Sequence, residues 1–342
     1  MAFYQAAIPP LPESLDLNGQ TAVLTGATAG IGLELSLQLL SRGLKHLIVG
    51  VRDVQKGGVT RLDLLSNPKI VANNPNAQIT VLKLDLSSLE SVAKFSNEVL
   101  GITSRLDCLI LCAGINTAHF EQTGDGNEQC FQVNVISNFL IQMLLLPLVQ
   151  STAREYYDAS SPQQPPTITW VGSMGQAFHT PDLGRDNGDQ AAILQTYASK
   201  ESYSAIRRYP DTKLFVSMIS RELASSIPDG VIVNNVCPGT VKTGADNNLP
   251  FYLRIPMNFN RFLRGRSVED GARAVFWAAR GGLHKDQSNG FYVADNRPQE
   301  ASAFINTPEG QKFAKKLWHE LILEGKKWDF KVGEGLAGSL IK

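Results

Sequence analysis

Tyr209 and Lys213 stand four residues apart in "YPDTK", at the head of an apolar-periodic run that continues "LFVSMISRELA" to Ala224. On a helix this interval puts both side chains on one face. A phenol, with an ordinary pKa of about 10, is a poor acid–base group near neutrality, but an adjacent ammonium stabilises its phenolate and brings it closer to use. The pair is a candidate for moving a proton to or from an oxygen. Tyr197 and Lys200 in "YASK" are three residues apart and lack this interval.

A second chemical element is "TGATAGIG", Thr25 to Gly32, which places Gly26, Gly30 and Gly32 between a β-type run and a helical one. Glycine there permits positive φ and close backbone approach, and the helix N-terminus offers unpaired N–H groups to an anion. A dinucleotide pyrophosphate is the expected occupant. The next strand-like run ends in Val51, and Arg52 follows where an NAD-binding sheet would carry an Asp or Glu for the ribose 2′-hydroxyl. A guanidinium there suits a 2′-phosphate, so NADP(H) is expected, with a simple ion pair between Arg52 and Asp53 as the alternative. Asp85 and Leu86, after the third strand, fall where an adenine ring would be contacted; "DLSS" could also be an ordinary helix cap.

The elements that must position these groups are legible as alternation. "TAVLTG", "HLIVGV", "ITVLKLD", "LDCLILCAG", "TITWVGS" and "VIVNNVCPG" are short apolar runs ending in turns, mostly separated by leucine-rich helical patterns. Continuous apolar strands alternating with helices imply a parallel sheet covered on both faces. The fold expected is a single α/β, doubly wound Rossmann-type domain over residues 18–325, after an N-terminal arm (1–17) and before a C-terminal tail (326–342). A last helix is expected at Thr307 to Gly325.

With these motifs in order, the chain resembles the short-chain dehydrogenases/reductases, over about Asn18 to Trp318. "TGATAGIG", "LDLSS", "LCAGI", "FQVNVISN", "WVGSMG", "YPDTK" and "VCPGTVKT" carry the resemblance. It implies that Tyr209 exchanges a proton with a carbonyl oxygen and that Lys213 lowers the phenol's pKa and holds the nicotinamide ribose. It also implies that Ser173 hydrogen-bonds the substrate oxygen and that Asn134 helps hold a water in the proton path. To the cofactor set it adds Thr28 and Ile31 in the glycine turn, Ala113 and Gly114 after the fourth strand, and Pro238, Gly239, Val241 and Thr243 after the sixth. Ser173 as a turn cap, Asn134 as a backbone partner and Pro238–Gly239 as a bare turn remain the plainer alternatives.

Two departures stand out. Leu111 and Cys112 replace the "NN" of the family's "NNAG", which removes side-chain bonds that usually brace the central strand. From Ser173 to Tyr209 the chain runs 36 residues, against the family's usual dozen or so. The insertion, about 176–202, is expected to fold over the mouth of the site.

The apolar stretch "NNLPFYLRIPMNFNRFL", within a lid at about 244–266, and Phe178, His179, Phe251 and Tyr252 suggest a bulky hydrophobic carbonyl or alcohol as substrate. "KLWHEL" and "VRD" resemble retinol dehydrogenase-like and fungal secondary-metabolism reductase branches. The resemblance favours an NADPH-dependent ketoreductase. A hydrophobic alcohol dehydrogenase running oxidation and a non-catalytic NADP-binding sensor are the alternatives.

Bulk properties narrow the field. Of 342 residues, 43% are hydrophobic and 19% charged, with 32 basic against 32 acidic side chains, which speaks against a nucleic-acid or anionic-membrane binder. Cys108, Cys112, Cys130 and Cys237 include no CxxC pair and no His at ligand spacing, so no metal is expected and reduced, mostly buried thiols are. The N-terminus lacks a basic leader pattern, and "FLIQMLLLPLV" is too short to span a bilayer, so no stable membrane insertion and a cytosolic setting are expected. Homodimers or homotetramers through the helices holding "VISNFLIQMLLL" and "LFVSMISRELA" are implied by the resemblance.

Overall fold

A computed structural model of the chain describes residues 5–157, 164–178, 181, 192–227, 230–241, 265–281 and 289–328. Eight strands form one sheet in the order β3-β2-β1-β4-β5-β6-β7-β8. They are β1 (Thr21–Thr25), β2 (His46–Val51), β3 (Gln78–Lys83), β4 (Cys108–Leu111), β5 (Thr167–Val171), β6 (Ile232–Cys237), β7 (Tyr292–Ala294) and β8 (Arg297–Gln299). The first seven run parallel, and β8 returns antiparallel on β7. Every residue of β1, β4 and β6 is buried, as strands covered on both faces require.

The helices divide between the two faces. On one side α1 (Gly30–Ser41), α2 (Val54–Leu65), α3 (Pro68–Asn73) and a later helix, α9 (Val268–Arg280), enclose a core of Leu35, Leu39, Leu47, Ile110, Val275 and Phe276. On the other, α4 (Leu89–Ile102), α5 (Gln129–Phe131), α6 (Ser137–Tyr156), α7 (Ile193–Ala198), α8 (Arg208–Ser226) and α10 (Pro308–Lys326) share the larger core. The chain reverses direction across the sheet between β1 and β4, so the carboxyl ends of these strands flank the crevice where such sheets bind ligands.

Between α5 and α6 the segment Gln132–Ile136 is π-helical, an insertion type that often marks a functional site. The combined helix, Gln129–Tyr156, is 28 residues long and apolar enough to cross a membrane by length and composition, which the shorter run Phe139 to Val149 did not suggest. It is a core helix here, with 89% of its apolar window buried inside the chain.

The C-terminal helix α10 closes the larger core. Trp318 meets Phe139 of α6 edge-on at 5.3 Å between centroids, and Phe313 lies 5.3 Å from Phe215 of α8. The described helix of the insertion, α7, packs against this same group. Tyr197 lies 4.9 Å from Phe215, and the Glu320 carboxylate of α10 accepts the Ile193 and Leu194 amides at 3.0 and 2.9 Å. Those amides open a helix without a side-chain N-cap, so α10 supplies the missing acceptor. Trp318→Ala is expected to cost about 3–5 kcal/mol, the range for removing a buried large aromatic. The measurement is a lowered urea midpoint at an unchanged denaturant slope.

Candidate active site

The glycine turn follows β1 directly. Gly26 has φ +79° and Gly30 φ +54°, both in the region that favours glycine. A Cβ on Gly26 would lie 3.1 Å from Ala113 Cα, and one on Gly32 only 2.2 Å from the Gly26 carbonyl oxygen. The turn and the start of α1 are thus pressed together, with no space for side chains. Ala29, the N-cap of α1, provides no side-chain hydrogen bond, so the helix's first amides face outward with the positive end of the helix dipole behind them. This is a cradle shaped for an anion. Thr28 and Ile31 are half-buried at its edges.

The bracing lost with the family's "NN" is replaced from β1. The buried Thr25 hydroxyl accepts the amides of Cys112 and Ala113, both at 3.0 Å, tying the end of β4 to the glycine turn. In the sequence Thr25 figures only as a member of "TAVLTG" and of the glycine turn "TGATAGIG", with no bracing role. Its partners are more than eighty residues away, and nothing local in "TAVLTG" signals them.

Tyr209 and Lys213 both lie in the first turns of α8, with Lys213 Nζ 5.5 Å from the Tyr209 ring centroid. Lys213 is buried at 6% exposure and donates to the Val171 carbonyl at the end of β5, 2.8 Å away. Burial lowers its pKa below the ordinary lysine value. Its acidic neighbours are thiols: burial pushes Cys112 up to about 11 and Cys130 up to about 12, so both remain neutral beside it. A Cβ on Gly114 would lie 3.5 Å from Lys213 Nζ and 3.1 Å from Asn134 Oδ1, which puts the end of β4, the π segment and α8 at one point.

Asn134 is committed to protein partners. Its Oδ1 accepts the Ile115 amide at 2.8 Å, and its Nδ2 donates to the Ile115 carbonyl at 2.9 Å, to Thr212 Oγ1 at 3.0 Å and to Cys130 Sγ at 3.3 Å. The side chain thus serves as the backbone partner of Ile115. Ser173, half-buried after β5, accepts the Gly175 amide at 3.1 Å. That is also the turn-cap role, and it leaves the hydroxyl proton available for donation.

At the β2 end, Arg52 is exposed and makes no ion pair among the described residues. Asp53 instead caps α2 by accepting the Lys56 amide at 3.0 Å. Lys83 reaches across from β3 and donates to the Arg52 carbonyl at 2.5 Å, adding a second cation to this edge. Asp85 accepts the Ser87 amide at 3.0 Å and its hydroxyl at 2.6 Å. Partial burial raises the Asp85 pKa, but these bonds together with the Lys83 and Arg52 charges outweigh it and leave the pKa below the usual value. Leu86 is buried in the core, and its carbonyl accepts Ser137 Oγ at 2.6 Å.

After β6, Pro238 and Val241 are buried and Gly239 has φ +84°. A Cβ there would meet Gln5 Oε1 at 2.3 Å and an Arg266 nitrogen at 2.4 Å. The N-terminal arm therefore belongs to the site's frame. Gln5 Oε1 accepts the Thr240 amide at 2.6 Å, its Nε2 donates to the Thr240 carbonyl at 3.2 Å, and Arg266 donates to the carbonyls of Pro238 and Ala6. Neither Gln5 nor Arg266 carries a motif that could have marked it. Phe178 closes a 3-10 turn (Met174–Phe178), but its side chain, like His179, Thr243, Phe251, Tyr252 and residues 244–264 of the lid expected at about 244–266, lies outside the described residues.

A glycine-lined anion cradle and a tyrosine–lysine pair thus share the carboxyl edge of one doubly wound sheet, as the family pattern requires. Residues 20–154 match the short chain dehydrogenase family model. The chain is 37% identical to short chain dehydrogenase yanD of Aspergillus niger, over 95% of this chain and 96% of that one. It belongs to the short-chain dehydrogenase/reductase family. Short-chain dehydrogenase/reductase tropG of Talaromyces stipitatus is 36% identical, over 94% of this chain and 95% of its own length. Among solved structures, the Pseudomonas aeruginosa RhlG/NADP active-site complex superposes with a TM-score of 0.59 at 21% identity, covering 83% of this chain and 97% of that one. Its fold is shared. The family's fold implies an NAD(P)-type cofactor, and the positive-φ glycines, the excluded Cβ positions and the uncapped α1 amides fit its pyrophosphate. Thr25→Val would keep the shape but leave two buried amides without an acceptor, at roughly 1–3 kcal/mol for each amide. The expected result is a lower thermal midpoint, with far-UV circular dichroism unchanged below the transition.

Proposed function

We propose that the protein is an NADPH-dependent ketoreductase that reduces a bulky hydrophobic ketone or aldehyde to the alcohol, acting in the cytosol on a secondary-metabolite intermediate. One observation carries the reading: the Lys213 ammonium, buried and held at the Val171 carbonyl, sits 5.5 Å from the Tyr209 ring at the crevice edge. A cation in a poorly solvated site stabilises a developing phenolate far more than an exposed one can.

When bound, the reduced nicotinamide supplies a hydride to the carbonyl carbon. The chain does the remaining work. Ser173 Oγ donates a hydrogen bond to the substrate oxygen and orients it, and the Tyr209 hydroxyl gives that oxygen its proton as negative charge develops. Lys213 holds the resulting phenolate, and the neutral Cys112 and Cys130 thiols leave its field intact. Thr25, Gly114 and Asn134 keep the end of β4 clear of side chains and fixed against α8.

The preference for NADPH is supported by the exposed Arg52 guanidinium and by Lys83 beside it, with Asp53 turned to its helix cap. The apolar composition of residues 247–263 and the fungal relatives support a hydrophobic secondary-metabolite substrate.

With Tyr209→Phe, turnover of hydrophobic ketones is expected to fall about 10²–10⁴-fold, the usual worth of a positioned proton donor. NADPH binding, followed by cofactor fluorescence, should be retained; turnover at the wild-type rate would remove Tyr209 from the proton path. Arg52→Glu exchanges a charge-assisted bond for repulsion. The NADPH-over-NADH ratio of kcat/KM is expected to drop at least about tenfold, since such a bond is worth about 1.5–3 kcal/mol. An unchanged ratio would mean that Arg52 does not select the cofactor.

A further inference from the structure

The catalytic helix grows out of a preceding turn, in which the Arg207 and Arg208 amides both donate to the Ser204 carbonyl, at 3.1 and 2.9 Å. Its N-cap position, Arg207, supplies no side-chain cap to the helix amides, and Tyr209 is the second residue of the helix. An uncapped first turn frays unless tertiary contacts hold it. The contact present is unusual: Arg208, adjacent to Tyr209, places Nε 3.3 Å from Glu128 Oε2, a charge contact without hydrogen-bond geometry, with side chains exposed by only 2% and 0%.

Burying two full charges costs several kcal/mol per ion, and a well-packed apolar pair would serve stability equally well. The position of the two partners supplies another rationale. The Glu128 carboxylate accepts the amides of Cys130 at 3.0 Å and Phe131 at 2.8 Å, capping the short helix that runs into the π segment holding Asn134. The Arg208 guanidinium is enclosed by two rings from the long stretch between Ser173 and Tyr209: Tyr197 at 4.5 Å and Tyr203 at 5.6 Å from their centroids. Each ring is fastened in turn, Tyr203 to the Thr117 carbonyl at 3.1 Å and Tyr197 to Asp211 at 3.2 Å. A neutral link runs in parallel, from Asn134 to Thr212 and from Thr212 Oγ1 to the Tyr209 carbonyl at 2.8 Å.

We propose that the Glu128–Arg208 ion pair, clamped by Tyr197 and Tyr203, is the positioning device that sets the first turn of α8 against the Asn134 segment and so aims the Tyr209 hydroxyl. Arg208 and Glu128 are positioning residues that touch neither cofactor nor substrate. The long stretch between Ser173 and Tyr209, on this account, forms part of the catalytic frame through Tyr197 and Tyr203. The consequence for turnover rests on Tyr209 being the proton donor; the consequence for the rigidity of α8 does not.

The test uses the full chain carrying Glu128→Gln, which keeps the shape and an acceptor oxygen, and in parallel Arg208→Met, Arg208→Lys and the Glu128→Gln/Arg208→Met double variant. In the cofactor-free protein, hydrogen exchange in peptides covering residues 208–213 should speed up at least about tenfold with Glu128→Gln, while peptides from β4 and β5 exchange as in wild type. With NADPH and a hydrophobic ketone, kcat should fall about 10–100-fold, as expected for a misplacement of about an ångström, with KM and NADPH affinity within about twofold of wild type. The double variant should be no worse than the poorer single one, because the two residues act as a unit. Arg208→Lys should recover part of kcat.

Wild-type exchange and kcat in folded Glu128→Gln would overturn the proposal. So would a parallel loss of kcat, NADPH affinity and protection throughout the sheet, which would mark a purely structural pair. Selective loosening of 208–213 in a protein whose wild type reduces no ketone would reject the ketoreductase reading and retain the positioning device.

Discussion

The proposed chemistry depends on a lysine that carries its charge while almost wholly buried. An isolated buried ammonium is costly, and ordinarily such a group pairs with a carboxylate or gives up its proton. Lys213 has no carboxylate ion pair among the described residues; it has the Val171 carbonyl at 2.8 Å and thiols that burial keeps neutral. A carboxylate in that position would neutralise the field that a phenolate needs. The dipole of a strand-end carbonyl stabilises the cation without cancelling it, and the lowered pKa of Lys213 reflects what remains of the desolvation cost.

Much of the surrounding architecture follows from that constraint. Residues Asp211 to Ser220 of α8 are all buried, because the helix lies between the sheet on one side and α10 on the other. One turn beyond Lys213, Ser217 accepts from Asn235 of β6 at 2.5 Å and bonds to Gln176, which lies three residues after Ser173. The serine loop is thereby fastened to the same helix as the tyrosine and lysine. Gly172 lies against this link, since a Cβ there would come 2.0 Å from Asn235 Oδ1. Ser173, Tyr209 and Lys213 are thus set by contacts to α8 and to strand ends rather than by loops alone, the kind of support that a preorganised site requires.

What was legible in the sequence was whatever has a short period or a short motif. The first six strands were readable as apolar runs, the helix at Tyr209 from its spacing, and the anion cradle from three glycines whose conformations and close contacts have the expected form. Contacts between distant segments were not readable. The Thr25 hydroxyl substitutes for the missing strand bracing across more than eighty residues, Gln5 braces the Thr240 turn across 235, and Glu128 meets Arg208 across eighty. None has a local signature, because an ordinary Thr, Gln, Glu or Arg looks the same whether its partner is solvent or a buried group. The strands β7 and β8 were missed for a different reason: three residues each is too short to display alternation. The π segment was invisible because it changes the hydrogen-bond register without changing composition.

The contrast between Arg52 and Lys213 shows how burial changes what a unit charge can do. Arg52 is exposed at the β2 end, where salt damps its field within about 8–10 Å, so it can act on an anion only by direct, geometrically matched contact. Lys213 is buried, where the same unit charge acts through space at several times the strength, and its neighbours are arranged so that it needs no contact with the phenol oxygen to be felt. An arginine suits the first position because its planar fork recognises geometry; a lysine suits the second because a compact ammonium can be held by one carbonyl in a small space. The chain's zero net charge conceals this division, which becomes visible only when each charge is read together with its depth.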